Sequence, residues 1–149
     1  MMKRTPEGQA LTALILEVFR LNGAMLDAGN QITEPHGLTS ARWQVMGALD
    51  LAGHGMTVSQ IARRMGLARQ GVQRIVNDLV KLEMVVVDAN LDHKRAPLIS
   101  IGEKGNKALA AVNQAQVAWV NQLSDGLGER QLLEALKTLL AVRERSEEC

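Results

Sequence analysis

The chain is 149 residues long and carries 17 Lys and Arg against 16 Asp and Glu, which gives a formal net charge of +1. Hydrophobic residues make up 46% and charged residues 22%, ordinary proportions that exclude wholesale disorder and a strongly basic nucleic-acid coat. The length favours a single domain over residues 1–149. The one cysteine, Cys149, is the last residue, so no intrachain disulfide forms, and a reducing, cytoplasmic compartment fits best.

No stretch approaches the roughly 20 apolar residues that a membrane span needs, and the first residues do not resemble a secretion signal. We therefore expect a protein that is neither exported nor embedded in a membrane. Aromatic residues are scarce at 2%, which disfavours the stacking platforms that bind single-stranded nucleic acid.

The position of the charge is more informative than its total. Residues 53–104 hold eight basic against five acidic side chains, whereas residues 1–52 and residues 105–149 each have a net charge of −1. A central excess of +3 is typical of a surface that attracts polyanions, although an ordinary solvated face gives the same pattern.

The first part of the chain predicts two helices. Helical spacing of apolar residues from Leu11 to Leu26 predicts one long first helix. A turn that contains Pro35 follows, and the hydroxyl of Thr39 is well placed to cap a second helix, which ends near Gly53.

The next segment predicts a helix-turn-helix. Thr57-Val-Ser-Gln60 has the form of a capping box, so a short third helix begins there and stops at Gly66. A fourth helix follows after a three-residue turn and runs from about Arg69 to Glu83. Two helices joined by a tight turn with glycine are typical of the helix-turn-helix motif.

The fourth helix separates into two faces. At about 100° per residue, its apolar side chains fall within an arc of about 120° and a polar stripe falls within an opposite arc of about 100°. The apolar residues are Val72, Ile75, Val76, Leu79 and Leu82, and the polar stripe is Gln70, Gln73, Arg74, Asn77 and Lys81. The stripe has no carboxylate, and its donors are those that pair with base edges and phosphates in a major groove. The alternative is an ordinary amphipathic surface helix, but such a face usually mixes Glu with Lys.

After the fourth helix the sequence no longer shows the helical spacing of apolar residues. Two short runs rich in β-branched residues, 84–87 and 97–101, flank a polar loop and predict a β-hairpin. Lys94 and Arg95 would project from its tip, where an arginine can enter a narrow minor groove.

The C-terminal section is helical from Glu103 onward and carries two apolar stripes, one on each predicted helix. These stripes and the first helix predict a helical layer that a second copy of the chain completes. The alternative is an intramolecular bundle. A homodimer is favoured because specific recognition generally pairs two half-sites about 34 Å apart.

Taken in order, these motifs resemble the MarR family of winged-helix transcription regulators. The resemblance is strongest at Leu38-Thr39 with Trp43 and Leu49, at 57–66, at 69–74 and at the wing residues 92–96, which lead to Glu103-Lys-Gly105. It implies a mainly α fold with a winged helix-turn-helix at 38–104, dimerisation helices at 5–32 and 103–146, and one β-hairpin wing. It also implies that the wing arginine, matched here by Arg95, reaches the minor groove.

The predicted DNA contacts are Thr57, Ser59, Arg69, Gln70, Gln73, Arg74, Asn77, Lys81, Lys94 and Arg95. The chain departs from the family at the start of the fourth helix, where Ala68 replaces the usual Ser or Thr cap. The missing cap costs about 0.5 to 2 kcal/mol of helix stability, and Gly71 in the first turn adds ~1 kcal/mol. We expect a recognition helix whose first turn is soft until DNA orders it.

Many members of the family are released from DNA by small aromatic or lipophilic molecules. The matching residues here are Phe19, Trp43 and Met46, with His36 and Arg42 as polar partners for an acid. The alternative, that Trp43 and Met46 are simply core residues, is favoured. Thiol sensing, another mode of the family, needs a cysteine in the N-terminal helix, and Cys149 is not there. The three histidines are far apart in sequence, so no metal or cofactor is expected.

The leading hypothesis is a sequence-specific, dimeric regulator that binds a pseudo-palindromic operator in double-stranded DNA, most often as a repressor. The alternative is a winged-helix protein-interaction module that does not bind a duplex. An enzyme is disfavoured because the sequence has no nucleophile elbow, phosphate loop, metal-binding spacing or paired catalytic carboxylates.

Overall fold

The computed structural model describes residues 1–149 and is mainly helical. A short 3-10 turn at Glu34–His36 follows the first helix, and two strands form an antiparallel hairpin. In chain order the elements are α1 (Pro6–Thr33), α2 (Ser40–Ala52), α3 (Val58–Met65), α4 (Arg69–Lys81), β1 (Val85–Asp88), β2 (Leu98–Ile101), α5 (Glu103–Leu123) and α6 (Glu129–Glu147). The predicted class, mainly α with a helix-turn-helix and one hairpin, is confirmed.

Side-chain caps set the starts of α2 and α3 as predicted. Thr39 Oγ1 accepts a hydrogen bond of 3.2 Å from the third backbone amide of α2. Thr57 Oγ1 accepts one of 3.2 Å from the Gln60 amide, and Gln60 Oε1 accepts one of 2.9 Å from the Thr57 amide. This reciprocal pair satisfies two backbone donors that a helix start otherwise leaves open.

Helix α4 ends at Lys81, two residues earlier than predicted. Glu83 has a φ of 59°, the left-handed conformation that side chains other than glycine rarely adopt. The Met84 amide then donates a hydrogen bond of 2.9 Å to the Leu79 carbonyl, which closes the end of the helix. The chain can therefore reverse direction at once and begin β1.

The core collects apolar side chains from five elements. Met46 of α2, Ile61 of α3, Leu79 of α4, Ile99 of β2 and Val112 of α5 are each 2% exposed or less. Burial of such a side chain stabilises the fold by about 1.5 to 3 kcal/mol. Because the apolar face of α4 packs in this core, its polar face is exposed to solvent.

The hairpin pairs β1 with β2 in a register that places Val85 opposite Ile101 and Asp88 opposite Leu98. Met56, in the connection between α2 and α3, adds a third segment to the sheet through two backbone hydrogen bonds with Ile99, of 3.0 and 2.8 Å. The sequence does not predict this bridge. It anchors the base of the wing to the chain just before the helix-turn-helix.

A close backbone approach joins the start of α5 to β1. The Gly102 amide donates a hydrogen bond of 2.9 Å to the Met84 carbonyl. A Cβ atom at Gly105 would overlap the same carbonyl oxygen. Only glycine fits at this position without displacing the strand.

The chain divides into two compact units, residues 1–113 and residues 114–149, with the boundary inside α5. The first unit contains α1 to α4, the hairpin and the start of α5, and the second contains the rest of α5 and α6. No residue of α6 is buried, and five leucines of this helix are 37 to 57% exposed: Leu132, Leu133, Leu136, Leu139 and Leu140.

The segment Pro6–His36 is long and apolar enough to cross a membrane by length and composition alone, with a mean hydropathy of 1.2 in its most apolar window. The expectation that no stretch of the chain approaches a membrane span is therefore contradicted for this segment, by length and composition. One helix of this kind is weak evidence for a membrane segment, and α1 carries the charged residues Glu17 and Arg20 near its middle. None of that window is buried within the chain.

Candidate nucleic-acid interface

Helices α3 and α4 are joined by the predicted three-residue turn. Gly66 follows α3 with a φ of 63°, and the Leu67 amide donates a hydrogen bond of 3.0 Å to the Ala62 carbonyl. The left-handed glycine and this hydrogen bond end a helix sharply. The short turn leaves α4 packed directly against α3, as in a helix-turn-helix.

The structure places all six predicted side chains of α4 in solvent. Its inner face is fully buried through Val72, Val76 and Leu79, each 1% exposed or less. The exposed residues on the outside are Arg69, Gln70, Gln73, Arg74, Asn77 and Lys81. Gln73 and Asn77 are joined by a hydrogen bond of 3.0 Å from Nε2 to Oδ1. The outer face is thus an ordered array of amide and cationic donors.

The two predicted contacts of α3 differ in their surroundings. Thr57 is partly buried, and its hydroxyl accepts the capping hydrogen bond from Gln60. Ser59 is exposed in the first turn of α3. Thr57 therefore has a structural role in starting α3, whereas Ser59 is free to bind a ligand.

The start of α4 has no side-chain cap, in agreement with the prediction for Ala68. A Cβ atom at Gly71 would meet no other atom within 4 Å, so packing does not require glycine there. The first turn of the recognition helix is therefore stabilised less than the first turns of α2 and α3, which both carry threonine caps.

The tip of the wing is folded around Asn90. Its Nδ2 donates a hydrogen bond of 2.9 Å to the Ala96 carbonyl, and its Oδ1 accepts one of 3.2 Å from the Asp92 amide. Lys94 and Arg95 lie exposed in the loop that these bonds close. Sequence reasoning missed Asn90, although asparagine commonly bonds the backbone two residues on in such turns. These hydrogen bonds therefore hold the loop that carries Lys94 and Arg95 in one conformation.

Helix α4 and the wing border one groove of about 430 Å³. Gln73, Asn77 and Lys81 line it from the helix, and Val87 and Pro97 line it from the hairpin. The polar stripe and the wing therefore lie beside each other on one surface of the first unit.

All eight basic side chains of residues 53–104 are free of ion pairs. The four ion pairs of the structure use Arg20, Arg42, Lys107 and Arg143, all outside this segment. Unpaired cations are available to neutralise phosphates. Two of them, Arg63 and Arg64, are exposed on α3 and were not predicted as contacts, although they follow Ser59 and Gln60 by one helical turn.

The five residues predicted for an effector pocket differ in their surroundings. Met46 lies fully in the core, and Phe19 is 69% exposed. Arg42 pairs with Asp78, and Trp43 Nε1 donates a hydrogen bond of 3.3 Å to Asn113 Oδ1. His36 is half-buried in the 3-10 turn. Met46 is therefore a core residue, as the alternative interpretation predicted.

No group of three His, Cys, Asp or Glu side chains in the chain could hold a metal ion.

A helix-turn-helix with an exposed polar second helix, followed by a hairpin beside that helix, defines a winged-helix protein of the kind that binds duplex DNA. The family model of the MarR family matches residues 36–96, which include α2, α3, α4 and most of the wing. The chain belongs to the MarR family, and it is a DNA-binding transcription regulator of that family.

The chain is also similar to known proteins in sequence and in fold. The chain is 35% identical over 117 residues to an uncharacterized protein of Mycobacterium tuberculosis, a match that covers 78% of this chain and 80% of that protein. The fold is similar to that of AbsC from Streptomyces coelicolor, described as a MarR family transcriptional regulator, with a TM-score of 0.82 and 20% identity over 100% of both chains. It is also similar to that of CouR from Rhodococcus jostii RHA1, solved with p-coumaroyl-CoA bound, with a TM-score of 0.76 and 21% identity over 87% of this chain and 90% of that one.

Proposed function

We propose that the protein is a cytoplasmic homodimer that binds a pseudo-palindromic operator sequence-specifically and represses transcription. One observation carries the proposal. The exposed face of α4 presents amide and cationic side chains beside the wing, and every basic side chain of residues 53–104 is free of ion pairs. Such a surface attracts phosphates and offers donors to base edges at the same place.

The side chains of α4 are suited to a major groove. Arginine forms a bidentate contact with guanine, and glutamine or asparagine forms one with adenine. Arg74, Gln73 and Asn77 lie within one helical turn of each other and are exposed. We assign base recognition to these three residues and phosphate contacts to Ser59, Arg69, Gln70 and Lys81, while Thr57 supports the start of α3.

The wing is suited to the neighbouring minor groove. Arg95 and Lys94 project from a loop that Asn90 holds closed, so little loop entropy is lost when they bind. A narrow minor groove concentrates negative potential and attracts an inserted arginine. We assign the minor-groove contact to Arg95 and a phosphate contact to Lys94.

Exposed apolar residues favour a dimer. Leu133 and Leu136 of α6 are 57% and 51% exposed, and Leu16 of α1 is 54% exposed. Exposed apolar side chains along a helix, as on α6 and separately on α1, are characteristic of interfaces. A second copy that covers α1 and α6 would also supply the second recognition helix that a two-fold symmetric operator requires.

The test is selection of bound fragments from a randomised duplex pool by the full chain at a stated salt concentration. We expect a pseudo-palindrome with half-sites about one helical turn apart and an affinity that falls steeply as salt rises. A reporter driven by a promoter that contains the recovered site then measures the sign of regulation, and we expect lower expression with the protein present. Recovery of no enriched sequence would contradict the proposal and favour the protein-interaction module.

We also propose that a small aromatic acid releases the protein from DNA. Support comes from CouR, which was solved with an aromatic acyl-CoA, and from Phe19, an aromatic side chain that is 69% exposed. Of the predicted set, Phe19, His36, Arg42 and Trp43 remain candidates for the site, whereas Met46 is enclosed in the core.

The effector proposal is tested in a Trp119→Phe variant, in which Trp43 is the single tryptophan. We expect cinnamic or salicylic acid to change the emission of Trp43 and to lower the affinity for the recovered duplex in parallel. A change in DNA affinity without any change in emission would place the effector elsewhere. No effect of either acid on affinity would contradict the proposed ligand class.

A further inference from the structure

We infer that Arg42 and Asp78 form a positioning pair that holds α4 in the orientation in which it reads DNA. The inference rests on the proposed function, because it concerns how the same helix meets the duplex. Arg42 Nη2 donates a hydrogen bond of 3.4 Å to Asp78 Oδ2, which joins the first turn of α2 to the last half of α4. The side chains of Arg42 and Asp78 are 28% and 48% exposed, so water screens this pair less than a fully exposed one.

The pair is the single side-chain hydrogen bond between α4 and another element. The other side-chain hydrogen bond of α4, from Gln73 to Asn77, stays within the helix. Besides its chain connections and backbone hydrogen bonds, α4 is attached through the apolar face formed by Val72, Val76 and Leu79. The hydrophobic effect itself is not directional, whereas a charged hydrogen bond has a preferred geometry. The pair therefore adds a directional restraint on the rotation of α4 about its axis to the packing of its apolar face.

The start of α4 makes such a fixation necessary. Ala68 provides no cap, Gly71 has no side chain, and Val72 is the first residue of α4 that is buried in the core. The residues before Val72 are thus held by few local interactions, and their orientation follows that of the rest of the helix, including its C-terminal half. Asp78 lies in that C-terminal half, four residues after Arg74.

Asp78 is the only acidic residue of α4 and lies at the edge of its polar stripe, at about 80° from Gln70. A carboxylate beside a duplex repels phosphates, so its charge alone works against the function of the helix. We infer that the carboxylate is useful because its ion pair with Arg42 aligns the hydrogen-bond donors of the polar stripe of α4. Base contacts need donor–acceptor distances of about 2.7–3.2 Å, so a small rotation loses them while flexible phosphate contacts persist.

Arg42 lies in the first turn of α2, which hydrogen bonds from other helices hold in place. The Ser40 amide donates a hydrogen bond of 2.8 Å to Asn30 Oδ1 of α1, and Trp43 Nε1 donates one of 3.3 Å to Asn113 Oδ1 of α5. Gly29 of α1 packs so closely against Ser40 that a Cβ atom there would overlap the serine hydroxyl. The first turn of α2 is thus held by α1 and α5, and through Arg42 it holds α4.

The experiment compares the affinity of the full chain for two probes, the duplex recovered by selection and a duplex of the same length with scrambled half-sites. We expect Arg42→Met and Asp78→Asn each to weaken binding to the recovered duplex by about three- to tenfold. Binding to the scrambled duplex stays within about twofold of wild type, and the salt dependence is unchanged, because neither residue contacts a phosphate. The double variant is expected to bind no more weakly than the weaker single variant.

The matched control is Lys107→Met, which removes a cation from an ion pair of 2.9 Å with Glu103 inside α5. We expect it to leave both affinities within about twofold of wild type. Circular dichroism and thermal unfolding verify that every variant is folded.

Four results with the variants would overturn the inference. Tighter binding of Asp78→Asn to both duplexes would mean that the carboxylate only repels phosphates. An equal loss for both duplexes in Arg42→Met, with a weaker salt dependence, would mean that Arg42 contacts a phosphate. Losses that add in the double variant would mean that the residues act independently. If the wild-type chain enriches no duplex, the proposed function fails and the inference fails with it, whereas wild-type binding with unaffected variants overturns the inference alone.

Discussion

Gln73 Nε2 donates a hydrogen bond of 3.0 Å to Asn77 Oδ1, one turn further along the exposed face of α4. The bond orients both amides in the free protein and leaves Gln73 Oε1 and Asn77 Nδ2 for other partners. A free acceptor and a free donor, held on adjacent turns, match the donor and acceptor that adenine presents in the major groove. If α4 binds in the major groove as proposed, the free protein already displays part of the pattern that adenine requires.

The first prediction concerns base preference. Arg74→Lys keeps the positive charge but loses the two-pronged contact with guanine, so we expect an unchanged salt dependence and a loss of about 1 to 3 kcal/mol of discrimination at one base pair of each half-site. Gln73→Ala is expected to relax preference at a different base pair by a similar amount. Competition between the recovered duplex and its single-base variants measures both effects. Equal weakening for every sequence would show that these residues contact phosphates instead of bases.

The second prediction concerns the wing. We expect Arg95→Ala to weaken binding to all sequences and to reduce the slope of log K against log salt by about one for each protomer. Arg145→Ala, which removes an exposed cation from the last turn of α6, is the matched control and leaves the slope unchanged. Titrations at three or more salt concentrations give the slopes. A slope that Arg95→Ala does not alter would exclude a charge contact between the wing and DNA.

The sequence predicts the fold well where the signals are local. The threonine caps at Thr39 and Thr57, the glycine at the end of α3 and the change of period at the hairpin all act within a few residues, so the helix-turn-helix and the wing follow from spacing alone. The stripe on α4 is predicted for the same reason, because its positions are related by a single helical period.

Interactions between distant residues could not be predicted in this way. Met56 joins Ile99 across 43 positions, and Arg42 joins Asp78 across 36. Arg42 illustrates the difficulty, because its type and its neighbour Trp43 indicated a ligand site, but nothing near it in the sequence indicated the ion pair with Asp78. No periodicity of the sequence encodes which of several acidic residues an arginine will meet.

The third prediction concerns the first turn of α4. Ala68→Ser supplies a hydroxyl for the open backbone donors and is expected to stabilise the helix by about 1 kcal/mol. Gly71→Ala removes backbone entropy at a position with open space and is expected to add roughly 0.5 to 1 kcal/mol. Hydrogen exchange of the α4 amides in the free protein should slow accordingly. Unchanged exchange in both variants would show that the first turn is already fully formed.

The fourth prediction concerns assembly. Leu136→Arg places a charge on the apolar surface of α6, where the leucine is 51% exposed. If this surface is covered by a second copy, burial of an unpaired arginine costs several kcal/mol and the variant becomes monomeric. Leu51→Arg, at a leucine of α2 that is 86% exposed, is the matched control and should remain a dimer. Light scattering at several protein concentrations distinguishes the two states, and a dimeric Leu136→Arg variant would move the interface away from this face.

The last prediction compares the effect of an added Cβ atom at two glycines that differ in the space around them. A Cβ atom at Gly105 would overlap the Met84 carbonyl at the junction of the wing and α5, whereas one at Gly47 of α2 would meet no other atom within 4 Å. Gly105→Ala must displace β1 or the start of α5 and is expected to destabilise the protein by about 1 to 3 kcal/mol, while Gly47→Ala should stabilise it by roughly 0.5 to 1 kcal/mol. Chemical denaturation at one fixed protein concentration measures both changes, since association contributes to stability. Because β1 carries the wing, Gly105→Ala should also lose DNA affinity while Gly47→Ala keeps it, and equal stability of the two variants would show that the strand yields without cost.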